Sequence, residues 1–110
     1  MSKKRIVLVT GATSGIGRGC AKRFAQGGYR VIITGRNREK LESLKTSLEA
    51  DGTEVLALAF DVCDREAARK AVESIPEEWQ DIDVLINNAG LARGLEPEYQ
   101  GNFEDWDQMI

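Results

Sequence analysis

The sequence predicts an α/β fold: a doubly wound parallel sheet with helices on both faces. Three observations carry the expectation. Short apolar runs of strand length alternate with segments of helical periodicity, the connections between them are short, and the first apolar run ends in a glycine-rich turn that opens a helix. Right-handed crossovers between parallel strands then leave few topologies open.

The elements follow in order. Residues 6–10, Ile-Val-Leu-Val-Thr, form a continuous apolar run ending at glycine, as suits a strand buried on both faces. Ile16, Cys20, Ala21 and Phe24 then recur at helical spacing, and Gly27-Gly28 ends that helix. A second strand is predicted over 31–34. Leu41, Leu44 and Leu48 mark the second helix, which closes near Asp51-Gly52. The third strand is predicted over 55–60. Ala68, Ala71, Val72 and Ile75 mark the third helix, with Asp64 as N-cap and Pro76 as its stop. A fourth strand is predicted over 84–86, then a loop over 91–101. Phe103, Trp106 and Ile110 set the face of a last helix, with Asn102 as its N-cap. That helix meets the C-terminus without a cap or a basic last turn. The expectation is therefore one domain, 1–110, incomplete and cut in mid-element from something longer.

Composition narrows the function. A chain of 110 residues with 42% hydrophobic and 30% charged residues has the balance of one folded domain and not of a disordered tail. The net charge of −3 comes from 15 basic and 18 acidic residues mixed along the chain, so no basic stripe offers a nucleic-acid footprint. There is no histidine, and Cys20 and Cys63 fit no metal or disulfide spacing. No metal site is expected. Lys3, Lys4 and Arg5 read as a solvated lead-in to the first strand. The apolar run after them is too short for a signal peptide or a membrane span. A soluble cytoplasmic protein is the expectation.

The chemistry begins at Thr10-Gly11-Ala12-Thr13-Ser14-Gly15-Ile16-Gly17. A phosphate pair sits well against a helix N-terminus, where backbone N–H groups lack partners and the dipole is positive. That requires a tight turn with no side chain between backbone and ligand. Gly11 supplies the turn, Gly15 the close approach and Gly17 the packing of helix on strand, while the hydroxyls of Thr13 and Ser14 can add phosphate contacts. The spacing Gly-x-x-x-Gly-x-Gly is neither the Gly-x-Gly-x-x-Gly fingerprint nor a P-loop.

This motif resembles the cofactor signature of the short-chain dehydrogenase/reductase family. Asn87-Asn88-Ala89-Gly90 at the end of the fourth strand and Asp61-Val62 after the third match two further signatures of that family, in order. The resemblance implies a Rossmann-type sheet of strand order 3-2-1-4, here reaching only to the fourth strand and its following helix. It also implies roles. Gly11, Ala12, Thr13, Ser14, Gly15 and Ile16 would hold the pyrophosphate and adenosine side. Asp61 would accept from the adenine amino group with Val62 packed on the ring, and Asn88, Ala89 and Gly90 would line the ribose. Plainer roles stay open: Asp61 as cap of the next turn, Asn88 as a structural strand-end hydrogen bonder.

The second run ends Thr34-Gly35-Arg36-Asn37. An NAD site usually has a carboxylate here, roughly 20 residues past the glycine turn, for the ribose 2′-hydroxyl. A carboxylate would repel a 2′-phosphate, whereas a small residue followed by a guanidinium suits one. NADP is therefore the expected cofactor, with Arg36 on its 2′-phosphate. Asn37 either donates there too or caps the second helix.

The family's reaction needs a tyrosine with a lysine four positions later. Ile33 follows Tyr29 and Phe103 follows Tyr99 at that spacing, so no catalytic residue is assigned and the chain alone is expected to be inactive. Residues 91–97 and 103–110 resemble the NADP-dependent 3-hydroxy acid dehydrogenases, including those acting on serine and allo-threonine. In that branch Arg93 invites a role on a substrate carboxylate, but a solvated loop arginine is the preferred reading. The resemblance implies a small-molecule substrate and a homo-oligomer, dimer or tetramer, when complete. The competing reading is a non-catalytic NADP-binding or interaction module complete at 110 residues.

Overall fold

The computed structural model describes residues 4–61 and 64–88. Among them, β1 (Ile6–Thr10), β2 (Arg30–Gly35), β3 (Val55–Ala59) and β4 (Val84–Asn87) form one parallel sheet in the order β3-β2-β1-β4. Helices α1 (Gly15–Gln26), α2 (Arg38–Ala50) and α3 (Arg65–Glu73) connect them, and a 3₁₀ turn over Glu77–Trp79 leads from α3 towards β4. The doubly wound architecture and the strand order are those the sequence predicts. The last predicted loop and helix lie outside the described residues.

Alternate side chains of the strands feed two cores. Val7, Val9, Val31 and Ile33 point to the face covered by Ala21 of α1 and Leu41, Leu44 and Leu48 of α2. Ile6, Leu8, Ile32 and Leu85 point to the other face, against Ala68, Ile75 and Trp79. Every residue of β1 is buried, which explains why its sequence is unbroken apolar rather than alternating. Two helices on one face and one on the other leave the carboxyl ends of the strands open as a crevice. Because β4 joins the sheet on the far side of β1 from β2, that crevice lies at the switch point of the strand order.

Helix boundaries follow local chemistry. Asn37 Oδ1 accepts from the Lys40 N–H at 3.0 Å, and Asp64 Oδ1 accepts from the Ala67 N–H at 3.1 Å, so α2 and α3 begin on side-chain caps. Gly28 and Gly52, both with φ of 89°, follow the first two helices where the sequence places their ends.

Four details differ from the sequence reading. Ile16 is 67% exposed, although it falls on the periodic face assigned to the first helix; the side buried against the sheet starts at Gly17 and Ala21 instead. The register is set by the close approach of Gly17, which turns Ile16 outward. Strand β2 is longer than predicted at both ends, because its outer backbone groups find partners: the Arg30 N–H donates to Arg5 O at 2.8 Å, and Gly35 O accepts from the Phe60 N–H at 2.9 Å. Phe60 itself falls just outside β3, and Asn87 just inside β4. Helix α3 stops at Glu73, and Pro76 opens the Glu77–Trp79 turn rather than closing the helix.

That turn buries Trp79 under the Arg30 guanidinium, 4.0 Å from the ring centroid. Arg30 also donates from Nη1 to Glu78 O at 3.1 Å and lies 3.7 Å from the Glu54 carboxylate. This cluster fastens the start of β2 at the end of the sheet opposite the crevice.

Candidate functional site

The strand ends meet at the glycine turn. Gly11 leaves β1 with φ of 60°, a conformation that costs an L side chain roughly 1–2 kcal/mol. Its carbonyl oxygen is turned inward and accepts from the Ser14 N–H at 3.2 Å and the Ser14 hydroxyl at 2.9 Å. The Ala12 N–H donates to Thr34 O at 2.9 Å, which joins the turn to β2.

Asn88 closes the turn from the other side. Its side chain, in a residue only 7% exposed, donates from Nδ2 to Gly11 O at 3.1 Å and to Ser14 Oγ at 2.6 Å. Thr10 Oγ1 donates to Asn87 Oδ1 at 2.9 Å, a second link between the ends of β1 and β4. Asn88 therefore acts on the shape of the glycine turn. Thr10, quoted in the motif but given no role from sequence, is one of the residues that fix it. The Ser14 hydroxyl has its hydrogen committed to Gly11 and accepts from Asn88, so it shapes the turn rather than offering a free donor to a phosphate.

The glycines divide the work. A Cβ on Gly17 would collide with the Gly11 carbonyl oxygen and crowd Asn88 Nδ2, so the helix packs against the turn with no room for a methyl group. A Cβ on Gly15 would meet nothing within 4 Å. The open space lies at the first turn of α1, where the N–H groups have no partner within the helix. Ser14, at the N-cap, makes no side-chain cap, and the first turn of α1 holds no acidic residue. Helices α2 and α3, by contrast, carry side-chain caps and Glu39 and Glu66 in their first turns. The start of α1 is thus the one among the three described helices left free for an external anion.

Gly35 and Arg36 lie beside it. A Cβ on Gly35 would approach the Thr13 methyl at 3.3 Å and Leu41 Cδ1 at 3.4 Å, so the residue is small for packing as well as for any ligand. Arg36 is exposed, and its Nη1 lies 4.0 Å from Asp61 Oδ2. The guanidinium and carboxylate that the sequence assigns to different parts of an adenosine thus form an exposed ion pair with each other in this structure. Asn37 serves α2 as its N-cap through Oδ1. Val62, Ala89 and Gly90 lie outside the described residues, as do Arg93 and Tyr99. Tyr29 stands just before β2, edge-on to Phe24 at 4.8 Å between ring centroids, at the opposite end of the strands from the glycine turn. Among the described residues no group of three or more acidic or cysteine side chains is placed to hold a metal. No described helix is long and apolar enough to cross a membrane.

A Gly15→Ala exchange separates the two functions of the turn. The fold is expected to keep its stability, since the methyl finds open space and alanine is favoured over glycine in a helix by up to about 1 kcal/mol. Dinucleotide affinity is expected to fall about tenfold, on the order of 1.4 kcal/mol, as the methyl enters the ligand's space. Paired thermal melts and binding isotherms check this; a variant that binds as tightly as the parent places the ligand elsewhere.

Comparison with known proteins identifies the family and the fold. The family model for short chain dehydrogenase matches residues 5–110. The NADP-dependent 3-hydroxy acid dehydrogenase YdfG of Salmonella typhi is 51% identical over 105 residues, covering 96% of this chain and 41% of the relative. The serine 3-dehydrogenase of Rhizobium radiobacter is 46% identical over 104 residues, covering 94% of this chain and 41% of the relative. Among solved structures, the closed form of serine dehydrogenase complexed with NADP+ superposes with a TM-score of 0.69 at 46% identity, covering 76% of this chain and 32% of that one. L-sorbose reductase from Gluconobacter frateurii, complexed with NADPH and L-sorbose, superposes with a TM-score of 0.74 at 34% identity, covering 80% and 34%. The chain spans about 41% of the length of the curated relatives it matches.

Proposed function

This chain belongs to the short-chain dehydrogenase family, and from that premise we propose that it supplies the NADP-binding part of an oxidoreductase. The reaction is hydride transfer between NADP(H) and a hydroxyl or carbonyl group of a small molecule. The substrate we favour is a 3-hydroxy acid such as serine or allo-threonine, the chemistry carried in the names of its relatives.

One observation carries the reading: the first turn of α1 is uncapped by any side chain, free of carboxylates and open at Gly15, with Arg36 exposed at the neighbouring strand end. These residues fit a dinucleotide that bears an extra phosphate. The N–H groups of Gly15, Ile16 and Gly17 would hold the pyrophosphate, with Gly11 and Ala12 setting the turn and Thr13 beside it. Arg36 would take the 2′-phosphate, with Asn37 next to it. Asp61 would accept from the adenine amino group, with Val62 against the ring. Asn88 would hold the turn in shape and, with Ala89 and Gly90, border the ribose. When bound, the nicotinamide supplies a hydride acceptor or donor. The chain's own residues bind and orient it; the tyrosine–lysine pair that moves the proton is assigned to none of them. A homo-oligomer in the cytoplasm completes the reading.

The test is oxidation of serine and allo-threonine by the oxidoreductase of which this chain is the NADP-binding part, followed through absorbance of the reduced nicotinamide. The expected result is turnover with NADP that falls at least tenfold with NAD, equivalent to about 1.4 kcal/mol. Equal turnover with both cofactors would remove the 2′-phosphate role of Arg36. Turnover of other alcohols but no hydroxy acid would leave the cofactor reading and remove the substrate class.

A further inference from the structure

Arg36 and Asp61 stand at the carboxyl ends of neighbouring strands, and the backbone fixes their spacing. Gly35 closes β2 opposite Ala59 of β3, and one step further the Phe60 N–H donates to Gly35 O at 2.9 Å. The ladder between the two strands thus runs to the residue before each of the two charges. Beyond it Asn37 caps α2, and the Asp64 N–H donates to Asp61 O at 2.9 Å in the turn that opens α3. Each charged residue is held between a strand end and a helix start, so strand register brings Arg36 Nη1 to 4.0 Å from Asp61 Oδ2.

This pair joins two groups that the proposed function sends to different parts of one ligand, Arg36 to the 2′-phosphate and Asp61 to the adenine amino group. A dinucleotide without the 2′-phosphate gives Arg36 no anion. The guanidinium then stays on Asp61 and competes for the carboxylate that the amino group needs. A dinucleotide with the phosphate takes the guanidinium by charge-assisted contacts, which are stronger than an exposed ion pair. Asp61 is released to the base. Every charge has a partner in both states: guanidinium on carboxylate before, guanidinium on phosphate and carboxylate on amino group after.

We propose that Arg36 and Asp61 exchange partners when the dinucleotide binds, so that the 2′-phosphate strengthens recognition of the adenine amino group by breaking the ion pair. The inference rests on the proposed NADP-binding reading and deepens it. Asp61 becomes a residue that helps to tell NADP from NAD, although its own contact is with the base. The pair is weak enough for a phosphate to displace and strong enough to be measured as a coupling between two parts of one ligand.

Four ligands close the cycle that tests this: NADP, NAD and their hypoxanthine counterparts, which carry a carbonyl where adenine has its amino group. Each is titrated calorimetrically into the full chain at one salt concentration. The amino group is expected to add about threefold more affinity between the two phosphate-bearing ligands than between the two without it, within the range an exposed ion pair allows. Arg36→Ala is expected to make the two contributions equal, since no guanidinium remains to compete for Asp61. Asp61→Asn is expected to make them equal too, and smaller. Arg36 is exposed and Asp61 partly so, and circular dichroism checks that both variants keep the fold. Equal or reversed contributions in the parent, or a difference that survives Arg36→Ala, overturn the exchange and leave the NADP reading standing. A 2′-phosphate that adds no affinity on either base overturns the NADP reading and the exchange together.

Discussion

Replacing Arg36 with alanine is expected to lower affinity for NADP about ten- to a hundredfold, the loss of one charge-assisted phosphate contact of roughly 1.5–3 kcal/mol, and to leave NAD almost unaffected. The argument starts at the end of β2. Gly35 packs against Thr13 and Leu41 and leaves no side chain in the way, and Arg36 follows it directly with an exposed guanidinium. No carboxylate stands at 35–37 to repel a phosphate or to bind a ribose 2′-hydroxyl. The ion pair with Asp61 does not hold Arg36 back. Its charges are 4.0 Å apart with side chains 74% and 40% exposed, and such pairs are worth about 0–1 kcal/mol. A phosphate competes with it easily. The ratio of the NADP and NAD dissociation constants, measured for parent and variant at one salt concentration, checks the expectation. An unchanged ratio means the guanidinium does not touch the 2′-phosphate.

Gly17→Ala is expected to destabilise the fold by about 3 kcal/mol and to abolish tight dinucleotide binding with it. Alanine would ordinarily gain about 1 kcal/mol over glycine inside a helix. Here the new methyl collides with the Gly11 carbonyl oxygen, a backbone atom that no rotamer change can move aside. Relief requires α1 to slide away from the turn, at the 1–3 kcal/mol usual for overpacking or somewhat more. The same shift loosens the Asn88 contacts to Gly11 and Ser14, which hold the turn in its binding shape. Denaturant melts of Gly15→Ala and Gly17→Ala side by side give the clearest contrast: one methyl lands in open space, the other on backbone. Equal stability in the two variants would mean that the packing of helix on turn has been misjudged.

The framework was legible because it rests on local signals. Strand β1 reads as buried on both faces because every one of its residues is. The caps at Asn37 and Asp64 and the helix ends near Gly28 and Gly52 follow from side-chain and backbone preferences that act within a few residues. The misread elements depend on distant partners. Ile16 shares the helical period of Cys20, Ala21 and Phe24, and only the contact of Gly17 with Gly11 shows that the helix is rotated to leave it outside. The Glu77–Trp79 turn is too short for a period, and what holds it is Arg30, 49 positions before Trp79 in the chain, stacked on the indole.

The site divides in the same way. Spacing alone pointed to the glycine turn, and the open ground at Gly15 and the missing cap of α1 agree with an anion there. The spacing offers the hydroxyl of Ser14 as a phosphate contact, whereas it closes the turn by bonding Gly11 and Asn88, residues 3 and 74 positions away.

The central claim is that the ends of β1 and β2 hold a dinucleotide by its phosphates, the extra 2′-phosphate included. Calorimetric titration of the full chain with NADP and with NAD tests it most directly. The account predicts one site that binds NADP at least tenfold more tightly than NAD, a margin of about 1.4 kcal/mol that shrinks as salt is added, with both ligands lost when Gly15 is replaced by tryptophan. NAD bound as tightly as NADP, or either ligand bound undiminished by Gly15→Trp, would contradict it.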